Sequence, residues 1–196
     1  FDTNFGADLT IMEEAHELVE RIRHGGKLPM ITSCCPGWVK YIETQYPDML
    51  DHPSSCKSPQ EMFSSICRTY YAQKYNIDPK KMVIVSLMPC TAKKKEITRE
   101  QNMLDGLQPT DFSMTVKEFI SMVKRYGLDI SNLPDGEFDD PLGESTGAAD
   151  IFAQTGGVME AAIRTAGVWL DGDAPWNINW ETGYDSGIKE STVTIG

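Results

Sequence analysis

Cys34 and Cys35 are adjacent in Thr32-Ser33-Cys34-Cys35-Pro36-Gly37-Trp38, and that adjacency limits how the chain can be held together. A disulfide needs a Cα separation and torsion that consecutive residues rarely reach without strain, so the two thiols do separate jobs. With Cys56, Cys67 and Cys90 they make five cysteines, an odd number at no regular spacing. This favours metal ligation or free thiols over a disulfide framework and leaves the fold to rest on a hydrophobic core. A chain of 196 residues, 40% hydrophobic and 24% charged, can build such a core as one domain or two closely joined lobes.

One thiolate of the pair can hold a soft metal while its neighbour carries a proton or acts as a nucleophile. The plain alternative is two buried small hydrophobes. Pro36-Gly37 turns the chain and Trp38 is placed to anchor the turn in a core. A second stretch has the same plan: the apolar, β-branched run Lys81–Met88 reads as a buried strand and ends in Pro89-Cys90-Thr91-Ala92-Lys93-Lys94-Lys95-Glu96. Ligands bind at the carboxyl ends of strands in open α/β sheets, so Cys90 and Lys93 fall where a site would form. Cys34-Cys35 follows Leu28-Pro29-Met30-Ile31 in the same way.

Around these stretches the pattern is mainly helical. Residues 7–23 carry Ile11, Ala15, Leu18 and Ile22 on one stripe, ended by Gly25-Gly26. Glu14, Glu17 and Arg21 share a second face, ordinarily a solvated one with a Glu17–Arg21 pair. Pro36 to Gln45 reads as a helix with the cysteines at its N-terminus, where the dipole favours a thiolate. Ser58-Pro59-Gln60-Glu61 has the order of a helix cap, and the helix runs to about Lys74 with Cys67 in its core. Val116, Phe119, Ile120 and Val123 point inward from a helix over Thr115–Tyr126. Residues 129–150 read as loop. Gly147-Ala148-Ala149 and Thr155-Gly156-Gly157 indicate close backbone packing, since the Lys-Ser/Thr ending of a P-loop is absent. Val158 to Ala166 continues as helix, and after Trp169, Trp176 and Trp180 the alternation of Gly187–Ile195 reads as a strand.

A net charge of -11 argues against nucleic acid. The longest apolar run, Met82 to Met88 with Ser86 inside it, is far short of a membrane span. No signal peptide is visible, although Phe1 is not a natural start and leaves room for an upstream segment.

Taken in order, Thr-Ser-Cys-Cys-Pro-Gly-Trp at 32–38 and Met-Pro-Cys-Thr-Ala-Lys-Lys-Lys-Glu at 88–96 resemble the catalytic H-cluster domain of FeFe-hydrogenases. The similarity extends to Phe1–Phe5, Asp8–Glu14, Cys56-Lys57-Ser58-Pro59-Gln60, Ser145–Ala149 and Thr155–Ala162. The resemblance implies an α/β fold in which two lobes of small twisted sheets, flanked by helices, hold an iron-sulfur site between them. It implies a 4Fe-4S cluster joined to a two-iron subcluster bearing CO, cyanide and a bridging azadithiolate, at which H2 is reversibly split into protons and electrons. Cys35 and Cys90 are then two of the four cluster ligands. Cys34 is the thiol that exchanges protons with the bridgehead amine, along a route through Glu14, Ser54, Glu17 and Arg21 in which a buried carboxylate should have a raised pKa. Lys93 donates to a cyanide, and Ser58, Pro59, Gln60 and Met88 line the cavity. Met88 is equally well read as strand-end core, Lys94, Lys95 and Glu96 as plain surface, and Cys56 gains no ligand role.

Implied partners are ferredoxin or another electron-transfer protein and the maturation proteins that deliver the two-iron subcluster. The expected compartment is the cytoplasm, with the periplasm as the alternative. The family's later Cys-x-x-x-Cys segment is missing, since no cysteine follows Cys90. The chain therefore reads as a partial H-cluster domain, an internal fragment or one piece of a split subunit, inactive alone. The rival is a non-catalytic or sensory iron-sulfur relative, weighed against by the retention of Cys34, Glu14, Glu17, Ser54 and Lys93. A thiol enzyme using Cys34 lacks an obvious base among His16, His24 and His52.

Overall fold

The computed structural model describes residues 1–139, 142–172, 178–183, 185 and 187–195. Its elements in chain order are α1 (Asn4–His24), α2 (Pro36–Gln45), α3 (Pro59–Ile66), α4 (Ala72–Lys74), β1 (Val85–Met88), α5 (Ala92–Glu96), β2 (Phe112–Thr115), α6 (Val116–Arg125), α7 (Ala148–Phe152), α8 (Gly157–Asp171), β3 (Glu181–Thr182) and β4 (Lys189–Glu190). This is an α/β arrangement in which β1 pairs in parallel with β2, and β3 antiparallel with β4.

Helix α1 is the spine. Its buried face carries Ala7, Ile11, Ala15 and Val19, and it ends at Gly25, whose φ of 70° lets its N–H reach Arg21 O. The helix begins earlier than the stripe predicts, because Phe1 and Phe5 pack edge-on against Phe63. Ile22 is exposed, a correction to the predicted stripe: the core contact with Ala162, Ala166 and Leu170 of α8 is made by Ala15 and Val19. At the other end of α1, Gly6 lies so close to α3 that a Cβ there would sit 2.4 Å from Pro59 O.

The predicted helix over 59–74 forms as α3, a π-helical turn over Cys67–Tyr71, and α4. Cys67 is in the core as expected. The π turn buries Arg68, whose guanidinium binds the carbonyls of Pro79, Met82 and Pro109 and the Asp111 carboxylate. Asp111 in turn accepts the Ile84 N–H at 2.6 Å, which fixes the start of β1.

The apolar run before Cys90 is a strand only over Val85–Met88, and it is not a buried one. Val83, Val85 and Leu87 are exposed and only Met88 is buried, because β1 has one partner strand and its other face is uncovered among the described residues. Helix α6 starts at a Thr115/Glu118 capping box, but of its predicted inward residues only Val123 is buried, with Val116 and Ile120 exposed. Trp38 does not anchor a core: it is exposed and stacks on Tyr41.

Of the predicted close-packed small residues, Gly157 is so tight that a Cβ would lie 1.6 Å from Ile151 O and Ala149 is buried, whereas a Cβ at Gly147 or Gly156 would meet nothing within 4 Å. The end of the predicted 129–150 loop is already helical in α7, and α8 extends past Ala166 to Asp171. The predicted strand over Gly187–Ile195 reduces to Lys189–Glu190, since Glu181–Thr182 is its whole pairing partner. Trp176 and the Asp140-Pro141 part of the predicted loop lie outside the described residues.

Candidate active site

The apolar segment before the cysteine pair makes a single parallel bridge to the loop after α2: Ile31 N–H donates to His52 O at 3.0 Å and Ser54 N–H to Ile31 O at 2.7 Å. That bridge places Ser33 and Cys34 alongside Ser54–Cys56. Cys35 then takes an extended backbone and caps α2, its Sγ accepting the Trp38 N–H at 3.5 Å. Cys90, just past β1, accepts the Ala92 N–H at 3.3 Å. Both sulfurs are in exposed residues, and each accepts one backbone N–H.

Lys93 joins the two cysteine loops. Its Nζ donates to Cys34 O at 2.9 Å and to Glu96 Oε2 at 2.9 Å. An ammonium has three donors, so one remains beyond these two contacts. Glu96 is buried, not the plain surface residue its lysine-rich context suggests; Lys94 reaches outward instead to Glu118.

Behind Cys34 lie two carboxylates from successive turns of α1. Glu14 is fully buried, and its Oε1 accepts Ser54 Oγ at 2.8 Å and the Ser33 N–H at 3.5 Å. Burial pushes its pKa up despite those donors, with the Glu17 charge adding to the rise. The Cys34 thiol is pushed up to about 11, first by burial and then by the Glu14 charge, so it is protonated at neutral pH.

Glu17 goes the other way, a correction to the expectation for carboxylates of such a route. Burial acts to raise it but is outweighed by donors. Ser55 N–H and Oγ both sit 2.9 Å from Oε2, and Arg21 Nε and Nη2 lie 3.0 and 2.5 Å from Oε1. Cys56 Sγ adds a donor at 3.5 Å. Arg21 is itself fixed by the carbonyls of Lys27, Asp51, His52 and Pro53. The structure thus brings Cys34, Glu14 and Ser54 into one group and Glu17, Ser55, Cys56 and Arg21 into a second, joined through the Ser54-Ser55 peptide. Cys56 could not be placed by motif, but its position two residues after Ser54 was the available signal.

Gln60 is buried below Lys93. Its Nε2 lies 3.1 Å from Glu61 Oε1 and 3.1 Å from Glu96 Oε2, while its Oε1 accepts Ser86 Oγ at 2.7 Å and Ser113 Oγ at 3.1 Å. Ser58 is buried beside it, Met88 is buried at the end of β1, and Pro59 opens α3 with its carbonyl toward Gly6. Sequence reasoning missed Glu61 and Glu96; the i, i+3 spacing of Lys93 and Glu96 was the one signal for the latter. No histidine attends Cys34: His16 packs on Trp169, His24 pairs with Glu20 and His52 bonds Pro29 O. Among the described residues no three of His, Cys, Asp and Glu converge as a complete metal site.

The family described as "Iron only hydrogenase large subunit, C-terminal domain" matches residues 1–196. The NADP-reducing hydrogenase subunit HndD of Solidesulfovibrio fructosivorans is 50% identical over all of this chain and 35% of its own length. The periplasmic [Fe] hydrogenase large subunit of Nitratidesulfovibrio vulgaris is 48% identical over all of this chain and 47% of its own. The solved apo [FeFe]-hydrogenase HydA1 of Chlamydomonas reinhardtii superposes with a TM-score of 0.82 at 44% identity, covering 94% of this chain and 47% of that one. The chain therefore spans less than half the length of each of these relatives.

Proposed function

Because this chain belongs to the family of C-terminal domains of iron-only hydrogenase large subunits, we propose that it is part of an FeFe-hydrogenase catalytic subunit that reversibly oxidises H2. The observation that carries the reading is the Lys93 clamp, which draws the exposed Cys35 and Cys90 loops together with a protonated Cys34 and a buried carboxylate behind it.

The donor set fits an iron-sulfur group. Cys35 and Cys90 offer soft sulfurs with N–H donors, and a 4Fe-4S cluster takes four such thiolates. These two supply half of the set, and the other half comes from a segment beyond these residues. Residues 1–196 are accordingly a partial H-cluster domain, inactive alone. When bound, the H-cluster, with its CO, cyanide and azadithiolate, supplies the site of H2 heterolysis and the exit for electrons.

The chain's own residues handle protons and orientation. Cys34 Sγ holds a proton at neutral pH and can give it up; Glu14, with its raised proton affinity, is the next acceptor, and Ser54 bridges toward Glu17. Glu17 rests as the anion, so it takes a proton only in passing, and Arg21 holds it at the outer end of the route. The remaining Lys93 N–H is the donor for a cyanide, strengthened by the low-dielectric surroundings. Ser58, Pro59, Gln60 and Met88 form the cavity wall. Ferredoxin or a similar protein is the electron partner, and maturation proteins deliver the two-iron unit. The compartment is the cytoplasm or the periplasm; no helix among the described residues is long and apolar enough to cross a membrane.

The test is Cys34→Ala in a protein that carries this chain together with the remaining thiolates. Iron content should stay unchanged while H2 evolution falls about 10²–10⁴-fold, the range of a lost proton-transfer group. Near-normal turnover would end the proton-donor role. An unmutated protein that assembles its cluster and shows no H2 turnover would support an iron-sulfur assembly or sensory relative instead.

A further inference from the structure

The proton route uses Glu14 and Glu17 and leaves a second buried carboxyl pair unexplained. Glu61 is completely buried on the first turn of α3, and Glu96 is buried at the end of α5. The Gln60 amide stands between them, with its nitrogen 3.1 Å from one oxygen of each. The two ends of this bridge differ. Glu96 Oε2 faces the Lys93 ammonium at 2.9 Å, a full countercharge. Glu61 Oε1 faces only neutral donors, Gln60 Nε2 and Thr110 Oγ1 at 3.0 Å, and its Oε2 has no hydrogen-bond partner in a buried setting. Thr110 Oγ1 also lies 2.7 Å from Ser64 Oγ. The charged groups that face Glu61 are Glu96, from α5, and Lys57, just before α3, whose Nζ is bonded to Asn102 O at 2.6 Å.

A carboxylate in a dry site with one oxygen unpartnered is costly, whereas the neutral acid avoids the charge at the same hydrogen-bond count. We infer that Glu61 is a neutral carboxylic acid and a positioning residue: together with Glu96, which Lys93 faces, it fixes the Gln60 amide, with NH2 toward the two carboxyls and oxygen toward Ser86 and Ser113. Two acceptors on one side and two hydroxyl donors on the other leave the amide a single orientation. Gln60 thereby ties α3 to α5 and to both strands of the β1–β2 sheet, and Lys93 is held through Glu96 as well as by Cys34 O. The importance of this for a cluster cavity rests on the hydrogenase reading; the protonation state and the amide lock do not.

The sign of the pH effect follows. A carboxyl held neutral in the fold titrates above its unfolded value, so the folded state binds the extra proton and loses stability as pH rises from about 4.5 toward the folded pKa. Glu61→Gln keeps the oxygen that Gln60 and Thr110 use and removes the titration. Thermal unfolding of the wild-type chain and of E61Q should coincide near pH 4.5, and the Tm gap should open in favour of E61Q by roughly 2–4 °C as the pH is raised to 8. Parallel curves would overturn the inference, as would an E61Q variant less stable at neutral pH whose deficit closes on acidification. Isotope-edited infrared spectra at pH 7 give a readout that does not depend on unfolding. A protonated carboxyl band present in the wild type and diminished in E61Q supports the neutral acid, and an unchanged band overturns it.

The amide lock is read from the Gln60 side-chain resonances. They should remain sharp in E61Q and broaden in E61L, which removes the acceptor; sharp resonances in E61L would refute positioning by Glu61. All of these measurements are made without a cluster, so failure of the hydrogenase reading would leave them standing, and their failure would leave that reading intact.

Discussion

Glu14 and Glu17 are one turn apart on α1, yet their proton affinities move in opposite directions, and the cause is what each oxygen touches. Glu14 gains a hydroxyl and one long N–H in a dry site and is raised; Glu17 gains Ser55 and the Arg21 fork and is lowered. A depressed carboxyl contributes stability that is present above its unfolded value of 4.5 and lost as pH falls through the lower folded value. Glu17→Gln should therefore destabilise the chain at neutral pH by about 1.5–3 kcal/mol, the scale of hydrogen bonds to a charged group. Chemical denaturation at pH 7 and pH 4 checks this, with the deficit shrinking at the lower pH. In the cluster-bearing protein the same variant should slow turnover and leave the cluster's infrared bands in place; loss of cofactor uptake would make the carboxylate structural. The spacing of Glu14, Glu17 and Arg21 is legible in the sequence, and the resemblance supplies their roles. Their divergence is not legible, because Ser54 and Ser55 arrive from a loop some forty residues away in the chain.

At the scale of elements, local signals read well and burial read poorly. The helix start at Pro36, the Gly25 stop and the Cys90 position after a strand are written in short runs of residues, and the structure has them; Ser58 stands before α3 as its order predicts but makes no side-chain cap hydrogen bond. The burial of β1 and of the α6 stripe depends on what lies across from them, which no local pattern encodes; hence the exposed Val85, Leu87, Val116 and Ile120. The π turn is not legible for a related reason, since it aims Arg68 inward at three carbonyls from two separate segments, around Pro79–Met82 and at Pro109. Two substitutions separate these cases. Thr115→Ala removes one half of a capping box and should cost about 1 kcal/mol, seen as a small drop in denaturation midpoint at unchanged m-value. Arg68→Met strands Asp111 and the carbonyls at once and should cost about 3–5 kcal/mol, the range for breaking a buried charge pair.

Over the whole molecule, α1 holds α3 at one end and α8 at the other, so the site inherits its geometry from two contacts of different kinds. The α8 contact is ordinary apolar packing by Ala15 and Val19 on Ala162 and Ala166. The α3 contact is a backbone approach at Gly6, and the carbonyl it meets belongs to Pro59, between Ser58 and Gln60. A methyl group at residue 6 would fall 2.4 Å from that oxygen and 2.9 Å from Phe63 Cβ, and backbone cannot yield as a side-chain tip can. Gly6→Ala must therefore push α3 away from α1, at a cost of about 1–3 kcal/mol for overpacking. Gly157→Ala meets Ile151 O at 1.6 Å and should cost at least as much, but its strain falls on the α7–α8 turn, far from Gln60 in the chain of contacts. Gly136→Ala meets nothing within 4 Å and should be neutral to within about 0.5 kcal/mol. Stability alone would not separate the first two. The Gln60 side-chain amide would, because its partners on α5, β1 and β2 stay in place while α3 moves: Gly6→Ala should shift that resonance, and Gly157→Ala should leave it where it is. An unmoved Gln60 signal in Gly6→Ala would mean that the Pro59 carbonyl rotates locally and that Gln60 is held by its own polar bridge rather than by the packing of α1.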